Sequence, residues 1–429
     1  MRQDWCGGTI GEGARDDWAS VQSTAPQRAA HGSALPVTYR HVYVHVPFCA
    51  RRCSYCDFAI AVRRRTPVDE FVRSLGREMD VRLQHGARAR LRAPQGECTT
   101  LAPEHRRQRE PIDTLYFGGG TPSRLGGDGV VAAVDVIRSF FDLAPDCEVT
   151  VEANPEDLTT DVVATWRAAG VNRVSLGVQS FSPEVLAWMH RTHDVAAIFR
   201  AADALRTGGI DNWSLDLIYA LPPEVPRSWS ADVVSALALD PPHISAYGLT
   251  VEQGTPLARW QARGEVHEAE EERYERDFLL VHDACARAGL EHYEVSNFAK
   301  PGMASRHNSS YWRNVPYLGL GPGAHGFDGE SRRWNEREFV RWSERVAAGE
   351  DPLAGAERLD ASAQALEMVY VGLRTRSGVE LRKGDLAFIT SWLDAGWGTV
   401  REGRLVLSAH GWLRLDALVS ALTEHRSRY

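Results

Sequence analysis

Between residue 41 and about residue 290, short stretches in which apolar and polar positions alternate take turns with longer stretches of helical periodicity. The alternation predicts strands over 41–47, 113–118, 147–152, 173–179, 212–219 and 243–251, and the 3.6-residue period predicts helices over 67–84, 127–142, 159–169, 182–206, 228–238 and 270–288. Strand and helix alternate six times. That order predicts an α/β fold built on a parallel sheet, closed or partly closed as a (βα)6 TIM-like barrel.

The strands carry one apolar and one polar face. Glu148, Thr150 and Glu152 alternate with Val149 and Val151; Arg173, Ser175, Gly177 and Gln179 alternate with Val174, Leu176 and Val178; Asn212, Ser214 and Asp216 alternate with Trp213 and Leu215. On the first strand, Tyr43 and His45 stand opposite Val42, Val44 and Val46. Helices cover the outside of a parallel sheet, so the apolar set belongs under them and the polar set points inward. Parallel barrels ordinarily fill their interior with branched apolar side chains. A polar interior therefore predicts a wet cavity that holds a ligand, with Glu152, Gln179 and Asp216 at the C-terminal strand ends where barrel enzymes place working groups.

Composition adds limits rather than detail. The chain has 429 residues, 43% of them hydrophobic, enough for one large domain and a smaller one. A formal net charge of -8 gives no basic field for nucleic acid. No stretch approaches the roughly 18 to 20 apolar residues of a membrane-spanning helix, and no secretory leader is evident. A reducing cytoplasm is the expected compartment, which leaves peripheral membrane contact open. Residues 1–39 lack periodicity and read as a disordered leader. Residues 86–111, with Arg88, Arg90, Arg92, Arg106, Arg107, Arg109, Pro94 and Pro103, read as a solvated irregular insertion. The expected division is a core domain over 40–310 and an accessory domain over 311–429.

Seven cysteines are present, and three of them, Cys49, Cys53 and Cys56, share one loop after the first strand. Cys-x3-Cys-x2-Cys suits three irons of a cubane cluster and leaves the fourth iron open to a ligand. A structural zinc site is the competing reading. It needs a fourth ligand, for which His45 or Asp57 is available, whereas closed zinc sites usually bring two short pairs. Cys6, Cys98, Cys147 and Cys285 stand alone and read as ordinary small buried thiols. After the second strand, Gly118-Gly119-Gly120-Thr121-Pro122 lets a ligand approach the backbone closely, but it has neither the Lys of a P-loop nor dinucleotide-binding spacing.

Tyr43-Val-His-Val-Pro-Phe-Cys49, the three cysteines, the Gly-Gly-Gly-Thr-Pro run and Asp216-Leu-Ile-Tyr-Ala-Leu-Pro222 together resemble the radical S-adenosylmethionine superfamily. More narrowly, residues 40–429 resemble the oxygen-independent coproporphyrinogen III oxidase-like group. The resemblance implies a [4Fe-4S] cluster held by Cys49, Cys53 and Cys56. It implies S-adenosylmethionine contacts at Tyr43, Gly119 and Glu152, and a second set of such contacts at Gly120, Thr121, Gln179, Arg191 and Asp216. An electron donor of the flavodoxin or ferredoxin kind would accompany such a cluster.

Two features bear on the branch within that group. The oxidase carries a fourth cysteine two residues after the third, where this chain has Phe58. His307-Asn308-Ser-Ser-Tyr311-Trp312 matches the His-Asn-x-x-Tyr-Trp signature of a heme-handling branch. An imidazole can ligate heme iron and aromatic rings can cover the macrocycle, so the resemblance implies heme contact at His307, Asn308, Tyr311 and Trp312. The spacing alone also suits a helix on which His307 and Tyr311 share a buried face. Beyond a glycine-rich stretch from Pro316 to Gly326, helices near 360–375 and 412–425 flank a hairpin around 400–407, which resembles the α+β, winged-helix-like accessory domain of the group.

The function expected on these grounds is a heme chaperone that binds heme and delivers it to acceptor proteins of respiratory type, with cluster and S-adenosylmethionine assisting rather than turning over a substrate. The alternative is oxidative decarboxylation of coproporphyrinogen III, against which Phe58 stands.

Overall fold

The structure is a computed structural model that describes residues 38–91 and 108–428, the side chains of 83–91 and 108–110 apart. Residues 1–37 of the expected leader and 92–107 of the expected insertion lie outside the described residues. Cys6 and Cys98 lie outside them too.

The first compact unit runs from Tyr39 to Leu359. Its strands and helices follow in the order β1 His41–Val46, β2 Phe48–Cys49, β3 Ala61–Val62, α1 Val68–Leu91, β4 Gln108–Gly119, α2 Gly126–Phe140, β5 Phe141–Ala153, α3 Thr160–Ala168, β6 Arg173–Gln179, α4 Pro183–Trp188, α5 Val195–Gly208, β7 Asn212–Tyr219, α6 Trp229–Ala238 and β8 His243–Gly248. Six of these strands, β1, β4, β5, β6, β7 and β8, pair in parallel in chain order. Then come α7 Pro256–Ala262, α8 Glu271–Arg287, β9 Glu291–Glu294, β10 Asn297–Ala299, α9 Arg306–Trp312 and β11 Leu318–Leu320. β11 extends the sheet beside β1, while β10 and β9 continue it antiparallel beyond β8. The α/β partial barrel expected from the periodicity is the fold observed.

Strand parity sorts the side chains as the alternation predicts. Val42, Val44, Leu115, Phe117, Val151, Val174, Leu176 and Leu215 are wholly buried beneath the helices. On the other face, register places Tyr43 beside Tyr116, Tyr116 beside Thr150, and Thr150 beside Arg173. One level further along, Glu152 lies beside Ser175 and Ser175 beside Ser214. Inside the barrel these polar groups hydrogen-bond to one another, as Ser175 does to Ser214 at 2.8 Å.

Local signals explain the helices. Pro67 precedes α1 and Asp69 and Glu70 occupy its first turn, where the helix dipole favours them; Phe71, Leu75 and Met79 bury one stripe. The single helix expected over 182–206 is two. Ser182 caps α4 and Asp194 caps α5, and between them His190 takes a left-handed φ of 60°. That break turns Arg191 toward the barrel interior.

The division of the chain falls at Leu359 and Asp360, not near residue 310. Residues 311–359 belong with the barrel because β11 pairs with β1, and because Glu78 of α1 reaches into them. That fully buried carboxylate accepts from the Gly321 amide at 2.8 Å, Asn335 Nδ2 at 2.7 Å and Trp342 Nε1 at 3.0 Å. The second unit, residues 360–428 as described, packs the helices Ala361–Leu373 and Leu415–Ser427 with a three-stranded antiparallel sheet. Its hairpin Gly398–Leu407 turns at Glu402 and Gly403, both with positive φ, the geometry of a tight two-residue hairpin turn.

Candidate functional site: the cysteine loop over a polar barrel

The cysteine loop begins at the C-terminal end of β1 and folds back on itself. β2 and β3 pair in parallel, Phe48 with Ala61 and Cys49 with Val62, so the intervening residues form a closed excursion. Its far side is tethered by the Ser54 amide to the Met189 carbonyl at 3.2 Å and by the Leu257 amide to the Ser54 carbonyl at 2.8 Å. Tyr55 packs on the apolar cluster of Val185, Met189, Ile218, Leu221 and Val225. The loop is thus anchored independently of any ligand.

The three thiols share this excursion. Cys49 Sγ lies 3.4 Å from Thr121 Oγ1, and Arg191 Nη1 donates to Cys53 Sγ at 3.5 Å. Burial pushes the Cys49 thiol up to about 12, and the neighbouring Cys56 and Cys53 add to the rise while Thr121 opposes it. Among the described residues, no three His, Cys, Asp or Glu side chains already converge as they would on a single ion. In a cubane cluster each thiolate takes a separate iron, so the donor set fits a [4Fe-4S] cluster, which three soft thiolates from one loop can hold. His45 is not available as a fourth zinc ligand: its Nδ1 meets Tyr43 Oη at 3.1 Å and its Nε2 meets the Ala59 carbonyl at 2.9 Å. Burial lowers its pKa to about 4, so the ring is neutral and donates through Nε2 to that carbonyl.

Below the loop, Glu152 accepts from Tyr116 Oη at 2.8 Å and from the Gly119 amide at 3.1 Å. Arg191 reaches across the strand ends, donating through Nη2 to Asn154 Oδ1 and to the Gly177 carbonyl, each at 2.7 Å, while its buried Nε has no hydrogen-bond partner. Gln179 closes β6 with a left-handed φ of 70°, a strained conformation for a residue other than glycine. Asp216 accepts from Ser175 Oγ at 3.0 Å, and burial raises its pKa to about 6, with the Glu152 charge raising it further and Ser245 opposing. Tyr43, Glu152, Gln179, Arg191 and Asp216 therefore occupy the inward face or the strand ends beneath the three cysteines. A buried guanidinium with an unpaired N–H and carboxylates nearby is a donor set suited to an amino-acid carboxylate and amine, as S-adenosylmethionine carries.

Protein neighbours also require the glycines of the run. A Cβ at Gly119 would lie 2.5 Å from His45 Cε1, and one at Gly120 would lie 2.7 Å from the Pro47 carbonyl. Protein atoms of the first strand and its loop fill that space. What Gly119 and Gly120 leave for a ligand is backbone, not a vacant side-chain position.

His307, Asn308, Tyr311 and Trp312 all lie on α9, capped by Ser305, which accepts from the Asn308 amide at 3.2 Å. His307 is wholly buried, with Nδ1 2.6 Å from Thr114 Oγ1 and Nε2 2.8 Å from Tyr311 Oη. His307 and Tyr311 share one helix face, with only His307 buried; in this conformation neither ring nitrogen of His307 is open to iron. Asn308, Tyr311 and Trp312 are half-buried. Sequence reasoning missed Tyr116, Asn154 and Thr114. Tyr116 and Thr114 have the parity of the inward face, a signal that was present in the second strand, whereas Asn154 lies just past a strand and only its contact with Arg191 reveals it.

The Radical SAM superfamily profile matches residues 43–231. A protein of Mycobacterium tuberculosis named heme chaperone HemW is 38% identical over 391 residues, covering 89% of this chain and 94% of that one. Its Bacillus subtilis namesake is 32% identical, covering 80% and 86%. Among solved structures, coproporphyrinogen III oxidase from Escherichia coli superposes with a TM-score of 0.71 over 92% of each chain at 22% identity, a likeness of fold. The chain belongs to the HemW family of heme chaperones, within the radical S-adenosylmethionine superfamily.

Proposed function

We propose that this protein binds heme and passes it to acceptor proteins of respiratory type, with a [4Fe-4S] cluster on Cys49, Cys53 and Cys56 and S-adenosylmethionine beneath it. The observation that carries this reading is the kinship with proteins named heme chaperones over nearly the whole length of both chains. Phe58 supports it from the sequence, since the oxidase-type fourth cysteine is missing.

In this reading Tyr43, Gly119 and Glu152 contact one S-adenosylmethionine, and Gly120, Thr121, Gln179, Arg191 and Asp216 line the adjoining space where the oxidase-like group places a second. Glu152 is held by two donors and so presents a fixed charge to a ligand amine. Arg191 is fixed by Asn154 and Gly177 and keeps Nε for a carboxylate. When bound, a cluster of this kind supplies an electron to S-adenosylmethionine, delivered by a small flavodoxin- or ferredoxin-like donor. Heme contact is assigned to the half-buried Asn308, Tyr311 and Trp312 rather than to the iron-ligating use of His307. Free thiols in the loop require a reducing compartment, for which the cytoplasm is the natural choice. Among the described residues no helix is long and apolar enough to cross a membrane.

Anaerobic reconstitution tests the proposal. Stoichiometric heme uptake followed by transfer to an apo-cytochrome is the expected result; conversion of coproporphyrinogen III to protoporphyrinogen would overturn it in favour of the oxidase.

A further inference from the structure

The heme-signature histidine sits in an unexpected place. Register puts His41 beside Thr114 and Thr114 beside Glu148, at the N-terminal end of β1 and well below the cysteine loop. His307 enters the barrel at that level from α9. Its ring packs on Tyr116 with centroids 5.0 Å apart and planes 27° from parallel, and on Tyr43 at 6.4 Å and 29°; those two rings stack on each other at 6.0 Å and 23°. The two tyrosines close tightly over Gly118, where a Cβ would lie 2.9 Å from both.

Every polar atom of the ring and the amide of His307 is engaged. Thr114 Oγ1 meets Nδ1 and is shared with His41 Nδ1 at 2.9 Å, Tyr311 Oη meets Nε2, and Glu148 accepts the His307 amide at 2.9 Å. Burial holds the imidazole neutral, so one nitrogen donates and the other accepts, roles that two hydroxyl partners can complement in either tautomer. A lone pair for iron would require Tyr311 or Thr114 to leave.

Two contacts run upward from this stack. Tyr116 Oη donates to Glu152, whose other oxygen takes the Gly119 amide. Tyr43 Oη meets His45 Nδ1, and His45 Nε2 meets the carbonyl of Ala59, three residues past Cys56. The His307 ring thus sits one contact from both tyrosines, and two from a carboxylate on one side and His45 on the other.

We propose that His307 is a positioning residue for the cofactor face: by wedging Tyr116 and Tyr43 it fixes Glu152, the Gly119 amide and the base of the cysteine loop, and it does not ligate heme iron. This rests on the reading that Glu152 and Tyr43 face S-adenosylmethionine. Tyr311 and Trp312 of the same helix are then the groups assigned to heme.

The test compares wild type with His307→Ala, with His307→Phe, which keeps a ring but loses both hydrogen bonds, and with Tyr116→Phe, which removes only the hydroxyl on Glu152. In reconstituted protein, the change that S-adenosylmethionine causes in the spectrum of the reduced cluster should need at least about tenfold more ligand in His307→Ala and about threefold more in the two Phe variants, while heme uptake per chain stays at the wild-type level. In cluster-free protein, the amides of residues 116–120 should exchange with deuterium faster in His307→Ala. If wild type responds to S-adenosylmethionine and all three variants respond at the same concentration, His307 positions nothing. Loss of heme uptake in His307→Phe with the cluster response intact would make it a heme ligand instead. A wild-type cluster with no response at all would overturn the cofactor reading itself, and this inference with it.

Discussion

At the C-terminal strand ends, beneath the cysteine loop, Arg191 keeps a buried N–H without a partner and Gln179 is held in a left-handed conformation. At the level of Thr114, near the other end of the same strands, His307 is paired at both ring nitrogens and its amide is taken by Glu148. Polar side chains of similar kind line both levels, but Arg191 at the upper one keeps unmet hydrogen-bonding capacity whereas His307 at the lower one has none left. Unpaired buried donors are costly unless a ligand completes them, so Arg191 reads as part of a site and His307 as part of its foundation. A polar barrel interior does not by itself say which part binds.

Three substitutions should separate the two levels. Cys56→Ser should cut iron in the reconstituted protein from about four per chain to nearly none while leaving the unfolding midpoint of the cluster-free chain unchanged, measured by iron assay and urea titration. An intact iron content would mean that the upper level is not the metal site. At the lower level, Glu148→Ala removes the acceptor for the Arg306 and His307 amides and should destabilise the protein by about 2 kcal/mol, read from the urea midpoint, with little change in cluster assembly. Between the levels, Asp216 tests the sign of burial. Its folded pKa of about 6 lies above the ordinary aspartate value, so its contribution to stability is full below about pH 4 and is lost as the pH rises through about 6. From pH 4.5 to pH 7.5, wild type should therefore lose on the order of 2 kcal/mol relative to Asp216→Asn; parallel stability profiles would show that the carboxyl is solvated.

Some of the architecture was legible in the sequence and some was not. The six parallel strands, their apolar and polar faces and the three-cysteine loop could be read directly, because a period of two residues and a spacing of three or four are local properties. The break between α4 and α5 was not read, although Ser182 and Asp194 mark two helix starts, because apolar positions continue across the break; that break delivers Arg191. Local signals suggest a unit boundary near residue 310, while the parallel pairing of β11 with β1 and the three donors on Glu78 carry the barrel unit to Leu359.

The order of residues along the chain dictates which side chains point inward and the chemistry of the loop above them. The tertiary structure alone decided at which depth each group sits and whether its polar atoms are already satisfied. His307 and Thr114 stand 193 positions apart, and no periodicity links them. Side-chain parity is fixed by the backbone of a few neighbouring residues, whereas the pairing of a buried imidazole depends on which distant strand and helix are packed against it.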